Sequence, residues 1–274
     1  MATMTVLPLQ QNSEEWLEFR KGRSGGSEFK KLWTPGLPLK SKIIEKLEED
    51  EPLPPADKRL TAPELAAMLT PEELAELKLA ADPKMGYYEI IAGRTSRPIT
   101  PNDYVDRLNG EPFSMMARGH LLEPEALQAF SEKTGKHIHS QSCVWVKGDN
   151  DKIYISPDGV VCTKDEMEKP VEQIIPTEAV EVKCLGNAEI IKAYLTGRYP
   201  QEYEPQVLKY FIVNKKLKTL YFIMYTDTTP GLELQIFEVH REDVEKRLAE
   251  AEAFEVAVMK LIDRDAEKIE RLGF

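Results

Sequence analysis

The sequence predicts an α/β (α+β) fold, a central β-sheet flanked by helices, and two patterns predict it. β-rich runs recur at 142–147, 152–156, 159–163, 178–185, 219–226 and 233–240, each short and bounded by turn-forming or charged residues. Around them, apolar residues repeat at helical spacing over 114–133, 187–195, 205–214 and 241–270. With 42% apolar residues in 274, the chain has enough material for a substantial core. One domain over 1–274 is expected, interrupted by helices and loop at about 34–100.

Taken in order, Ser13-Glu14-Glu15-Trp16 is a helix start, with serine at the cap and acids in the first turn. That helix should end near Lys21, placing Arg20 in its last turn. Gly22 and Gly25-Gly26 then break the chain just before Ser27, where a guanidinium, a hydroxyl and a glycine-lined bend form a candidate phosphate seat. Residues 34–60, rich in proline and charge, read as loop or linker. Thr61-Ala62-Pro63-Glu64 and Thr70-Pro71-Glu72-Glu73 look like capping boxes opening two short helices. Clamping DNA, covering a sheet edge and contacting another subunit all stay open as tasks for this insertion.

The helix from Ser114 to Lys133 carries Leu122, Ala126, Leu127 and Phe130 on one stripe, with Glu123 beside it and Gly135 closing it. The strands from 142 to 185 read as a meander of alternating polarity, with Asp158 at a hairpin bend. Pro205 opens a helix in which Gln206 shares a face with Tyr210. Thr219–Thr226 and Glu233–His240 form a hairpin through Asp227 to Gly231. The final helix, 241–270, packs Val244, Leu248, Ala251, Val258, Leu261 and Ile262 across the sheet.

Composition narrows the partners. A net charge of −11 argues against a generic nucleic-acid coat, because non-specific binding neutralises phosphates with Lys and Arg. Yet Arg20, Lys21, Arg23, Lys30, Lys31, Lys40 and Lys42 crowd the first part, with Arg94, Arg97, Arg107 and Arg118 later, which leaves open a basic groove on an acidic body or a charged N-terminal face that is merely solvated. No apolar run approaches the roughly 20 residues that span a bilayer, and the N-terminus lacks a signal-peptide layout, so a cytoplasmic protein with no membrane contact is expected. Cys143, Cys162 and Cys184 stand apart without a CxxC pair and read as reduced core thiols. No two of His120, His137, His139 and His240 have metal-site spacing.

Chemistry concentrates between Ser156 and Cys184. In a strand, Glu181 and Lys183 share one face while Val180, Val182 and Cys184 take the other. A lone Glu-x-Lys is ordinarily an exposed ion pair, but Ser156-Pro157-Asp158-Gly159 upstream brings a second acid. Mg²⁺ takes hard oxygen ligands, so Asp158, Glu181 and the Val182 carbonyl are candidate ligands. Lys183 would position and activate water and offset charge on the phosphorane.

On these residues the sequence resembles the phage lambda exonuclease and YqaJ-type alkaline exonucleases, a branch of the PD-(D/E)XK nucleases. Ser156-Pro157-Asp158-Gly159 and Glu181-Val182-Lys183-Cys184 are similar to its two core motifs. Trp16 to Arg23 with Ser27 resembles its N-terminal element, Ala117-Arg118-Gly119 with Glu123-Pro124 its helix-borne glutamate, and Pro205 to Tyr210 its glutamine helix. The family usually has a Thr-Ala-Ser type run where Ser24-Gly25-Gly26-Ser27 stands.

The resemblance implies a restriction-endonuclease-like core with a mixed sheet, and a Mg²⁺-dependent 5′→3′ exonuclease on linear double-stranded DNA, leaving 3′ overhangs. Asp158, Glu181, Val182 and Glu123 would hold one or two ions, with Mn²⁺ able to substitute. Arg20, Ser27, Ser156 and Gln206 would grip the terminal 5′-phosphate one nucleotide from the scissile bond. It also implies a homotrimeric ring, a single-strand annealing partner, and a phage or prophage origin in a bacterial host. The alternatives are a PD-(D/E)XK endonuclease and a catalytically silent DNA-binding protein of the same fold.

Overall fold

The structure, a computed structural model, describes residues 4–81, 87, 90, 115–229 and 231–271. Two sheets form the frame. Strands β1 (Thr5–Leu7), β3 (Val144–Lys147) and β4 (Asn150–Ile155) make an antiparallel sheet in the order β1-β3-β4. Strands β2 (His137–Ile138), β5 (Gly159–Cys162), β6 (Glu178–Lys183), β7 (Thr219–Tyr225) and β8 (Leu234–His240) make the second, in that order. This sheet is mixed, because β6 and β7 run parallel while the other neighbours are antiparallel.

A parallel pair needs a long crossover. Here it contains α7 (Asn187–Thr196) and α8 (Glu204–Val213), which opens with Pro205 in its first turn. Both faces of the central strands are covered. Helix α6 (Met115–Thr134) lays Ala126 and Phe130 on Val180, Val182, Tyr221 and Ile223. On the other face, α8 packs Val207, Leu208 and Phe211 into the main core with Ala179, Leu220 and Phe222.

Two expectations about the strands are corrected. There is no continuous meander, since β4 and β5 belong to different sheets, and Asp158 lies on the crossing between them rather than in a hairpin. Pro157 cannot donate to a ladder, which ends one sheet. Gly159 then starts the next at close quarters: a Cβ there would stand 3.1 Å from Ile138 Cγ2 and 3.2 Å from Leu127 Cδ2. Nor does polarity alternate with exposure along β6. Glu181 is 1% exposed, as buried as the apolar residues beside it, because α8 covers its face.

The expected loop at 34–60 contains a helix, α3 (Lys40–Leu47). Its charges, among them the exposed pair Lys42 and Glu45, hide a short apolar stripe in the sequence, yet Ile43 is fully buried with Leu65 and Ala66. The two capped helices form as expected: α4 (Ala62–Ala66) behind Thr61 and Glu64, and α5 (Pro71–Ala81) behind Thr70 and Glu73. Helix α5 rests on the long C-terminal helix α9 (Arg241–Glu270) through Glu72 with Lys260 and Glu76 with Arg264. Helix α9 lies chiefly on α5 and α8 and also meets β8, with Glu252 and Asp263 pairing with Lys147 and Lys152 of the three-stranded sheet. Arg94, Arg97, Arg107 and Ser114 lie outside the described residues.

The N-terminal segment follows the sequence closely. Ser13 caps α1 (Glu14–Arg20), its Oγ accepting from the Trp16 N–H at 3.1 Å, and Gly22 takes φ 66° to turn the chain. Helix α2 (Gly26–Leu32) begins at Gly25, whose N–H donates to Glu28 at 3.1 Å. A Cβ on Gly25 would stand 2.6 Å from the Tyr154 ring, and one on Gly26 the same distance from Ile155 Cδ1. Gly25→Ala is therefore expected to destabilise the protein by about 1–3 kcal/mol through overpacking. A denaturant midpoint equal to the parent's would refute that contact.

All three cysteines are free, with Cys143 and Cys162 buried and Cys184 half-buried. Burial pushes the Cys143 thiol up to about 12 and that of Cys184 to about 11, so both stay protonated at neutral pH. Among the described residues no helix is long and apolar enough to cross a membrane.

Candidate active site

The parallel pairing carries β6 three residues past its last partner on β5, Val180. On that side the Val182 N–H has no strand to bond. The Asp158 carboxylate takes its place, its Oδ2 accepting from Val182 N at 2.8 Å, while Gln11 reaches its Oδ1 at 3.4 Å. A sheet crossing thus brings one acid to the end of the strand that bears the other.

Glu181 and Lys183 project from the face that α8 covers. Gln206 and Tyr210, one helical turn apart, both reach down to Glu181. Gln206 Nε2 donates to Oε1 at 2.5 Å and the Tyr210 hydroxyl to Oε2 at 2.5 Å. Lys183 Nζ closes the set as an ion pair with the same carboxylate. Tyr210 is a partner of Glu181 whose role sequence reasoning missed, although its four-residue spacing from Gln206 was the available signal.

Burial and crowding shift these groups together. Asp158 is raised well above the usual carboxylate range, first by burial and then by the charges of Glu181 and Glu123. Glu123 is raised by burial and by Glu181, with His120 and Lys183 pulling the other way. Burial pulls Lys183 down, but Glu181 and Asp158 outweigh it and hold the amine protonated. Three carboxylates therefore face one ammonium, and the excess negative charge suits a cation. Among the described residues no three His, Cys, Asp or Glu side chains stand grouped as a ready metal cage. Both Glu181 oxygens are instead engaged by Gln206, Tyr210 and Lys183.

Around this centre opens a cleft of about 1140 Å³, and Arg20, Ser27, Glu123, Ser156, Asp158, Glu181, Val182, Lys183 and Gln206 all line it. Arg20 is firmly placed. Its Nε donates to the Tyr154 hydroxyl at 2.9 Å, its Nη2 pairs with Glu28 at 2.9 Å, and its guanidinium stacks 4.3 Å over the Trp16 ring. Ser156 accepts from Trp16 Nε1 at 2.9 Å, which ties α1 to the crossing that holds Asp158. Ser27 is exposed in the first turn of α2. The amide nitrogen of Gln206 faces Glu181. Lys30, Lys31, His120 and Tyr203 also line the cleft.

Comparison with known proteins gives the family and the fold. A model of the YqaJ-like viral recombinase domain matches residues 15–219, a span that takes in α1, the sheet crossing, β6 and α8. The chain belongs to this family. Among solved structures, the YqaJ-like chain is similar to an alkaline exonuclease from Laribacter hongkongensis, LHK-Exo, at 18% identity and a TM-score of 0.56, over 94% of this chain and 97% of that one. LHK-Exo in complex with dAMP aligns at 17% identity and a TM-score of 0.54, over 95% and 100%. At such identities the likeness is one of fold. No relative is found among curated protein sequences.

Proposed function

We propose that this YqaJ-like domain is a divalent-metal-dependent exonuclease with a restriction-endonuclease-like PD-(D/E)XK core. It degrades one strand of linear duplex DNA 5′→3′ and leaves 3′ overhangs for recombination by strand annealing. The observation that carries this reading is the meeting, in one cleft, of Asp158, Glu123 and Glu181 with Lys183 and with the four groups suited to a terminal phosphate. A catalytically silent binding protein has no need of three carboxylates crowded into one cleft, where they repel one another.

The donor set fits Mg²⁺ or Mn²⁺, being carboxylate and carbonyl oxygens with an excess of negative charge. Asp158, Glu181, Glu123 and the Val182 carbonyl would hold one or two ions. When bound, the metal supplies Lewis-acid polarisation of the phosphate and acidifies an attacking water. Lys183, kept protonated by its neighbours, donates to the water or to a phosphoryl oxygen and stabilises charge that grows in the transition state. Gln206 and Tyr210 fix the Glu181 carboxylate against rotation. Arg20, Ser27, Ser156 and Gln206 seat the 5′-phosphate, so binding energy is spent on register along the strand. A deoxynucleoside monophosphate, such as the dAMP in the LHK-Exo complex, is then the product of each step. A homotrimeric ring threaded by duplex, with an annealing protein as partner, completes the reading.

Ends of defined chemistry test it. The parent should degrade linear duplex with Mg²⁺, leave closed circles intact and prefer 5′-phosphate to 5′-hydroxyl ends. Arg20→Ala should lose that preference by about tenfold or more, the scale of one charge-assisted contact. Cutting of closed circles would instead indicate an endonuclease.

A further inference from the structure

Tyr203, the last residue before α8, gathers two ammonium groups at one ring. Lys30 Nζ stands 4.0 Å from the ring centroid and Lys183 Nζ 5.3 Å from it, and all three residues line the cleft. The face of an aromatic ring attracts a cation within about 6 Å, more strongly where water is scarce. The ring is itself anchored, lying 5.7 Å from that of Phe222, which is fully buried on β7. A cation from α2 and a cation from β6, distant in sequence, thereby meet one ring.

The two lysines differ in how they are bound. Lys183 is locked to Glu181, which is buried. Lys30 pairs at 3.2 Å with Glu202, a side chain 63% exposed, and a pair of that kind is worth little. Lys30 can therefore leave its carboxylate for a stronger acceptor while the ring keeps it at the wall of the cleft. A phosphate of the DNA backbone is such an acceptor, carrying a full charge and oxygens suited to an ammonium.

We propose that Lys30 contacts a backbone phosphate of the bound strand, and that Tyr203 is a positioning residue holding Lys30 and Lys183 at a common ring. The inference rests on the nuclease reading and adds a phosphate contact beyond Arg20, Ser27, Ser156 and Gln206. It also ties seating of the strand to placement of the amine that acts in the chemistry.

Two measurements on the whole chain test it. The first is equilibrium binding of 5′-phosphorylated linear duplex in chelator between roughly 50 and 200 mM salt, a range over which phosphate contacts dominate affinity. Lys30→Ala should weaken binding by about tenfold and flatten the dependence of log affinity on log salt by about one phosphate contact. An unchanged slope overturns the proposal. The second is steady-state cleavage with Mg²⁺. Tyr203→Leu should lower kcat and raise KM, each by about threefold to tenfold, whereas Tyr203→Phe, which keeps the ring, should match the parent in both. A parental leucine variant, or a phenylalanine variant impaired in both constants, overturns it. Should leucine unfold the chain, the phenylalanine variant and Lys30→Ala decide alone. A parent that binds with a slope dependent on Lys30 but cleaves nothing refutes the nuclease reading and keeps the contact.

Discussion

Lys183→Ala is expected to lower the single-turnover cleavage rate by about 10³-fold or more, the scale seen when a preorganised donor to developing charge is removed. Duplex affinity in chelator should change little, because Arg20, Ser27, Ser156 and Gln206 remain. Nor should the fold suffer. Glu181 keeps its bonds from Gln206 and Tyr210, so truncating the lysine does not leave that carboxylate unsatisfied. Lys183→Arg should not rescue the rate, since a planar fork cannot replace a compact ammonium between Glu181 and the cleft. Quench-flow on duplex with a labelled 5′ end separates the effect from binding and product release. A variant that cuts at the parental rate would sink the assignment of this strand as the catalytic one.

The second large effect concerns stability rather than chemistry. Lys209 and Glu255 form a fully buried ion pair between α8 and α9, joined by Ser24, whose hydroxyl donates to Glu255 at 2.6 Å and accepts from Lys209 at 3.1 Å. Burial pulls Lys209 below its usual value, Glu255 pulls it back up, and among the described residues Glu255 Oε2 has no hydrogen-bond partner. Removing one charge strands the other in the core. Lys209→Ala or Glu255→Ala should therefore cost about 3–5 kcal/mol, whereas the double change Lys209→Met with Glu255→Leu should recover most of it. Urea melts of the three variants decide the matter. A double variant no better than the sum of the singles would show that the charges are not coupled.

How far the sequence speaks depends on the distance between the parts. Alternation along β6 is local, so the shared face of Glu181 and Lys183 was legible, as was the pairing of Gln206 with Tyr210 on one helical face. The capping residues Ser13, Thr61 and Thr70 were equally local and marked their helices correctly. The crossing at Ser156-Pro157-Asp158 was not legible, because a proline and a glycine between two β-rich runs suit a hairpin and a change of sheet alike. Helix α3 was hidden by its charges, which outnumber the few apolar residues it buries. Ser24, Lys209 and Glu255 meet across 185 and 231 residues of chain, and no pattern within a window announces such a contact. Tyr203 likewise joins Lys30 to Lys183 only through tertiary packing.

The passage of the chain from one sheet to the other at Asp158 has a mechanical consequence. Arg20 is braced on Tyr154 of the three-stranded slab, whereas Glu181 belongs to the five-stranded one, and Asp158 rides the seam. In the proposed reading, the span between a grip on the strand's end at Arg20 and a point of scission at Glu181 is a caliper opening, fixed by how two slabs stack. Altering the packing between the slabs would change the length of each bite before it changed whether the jaws could close.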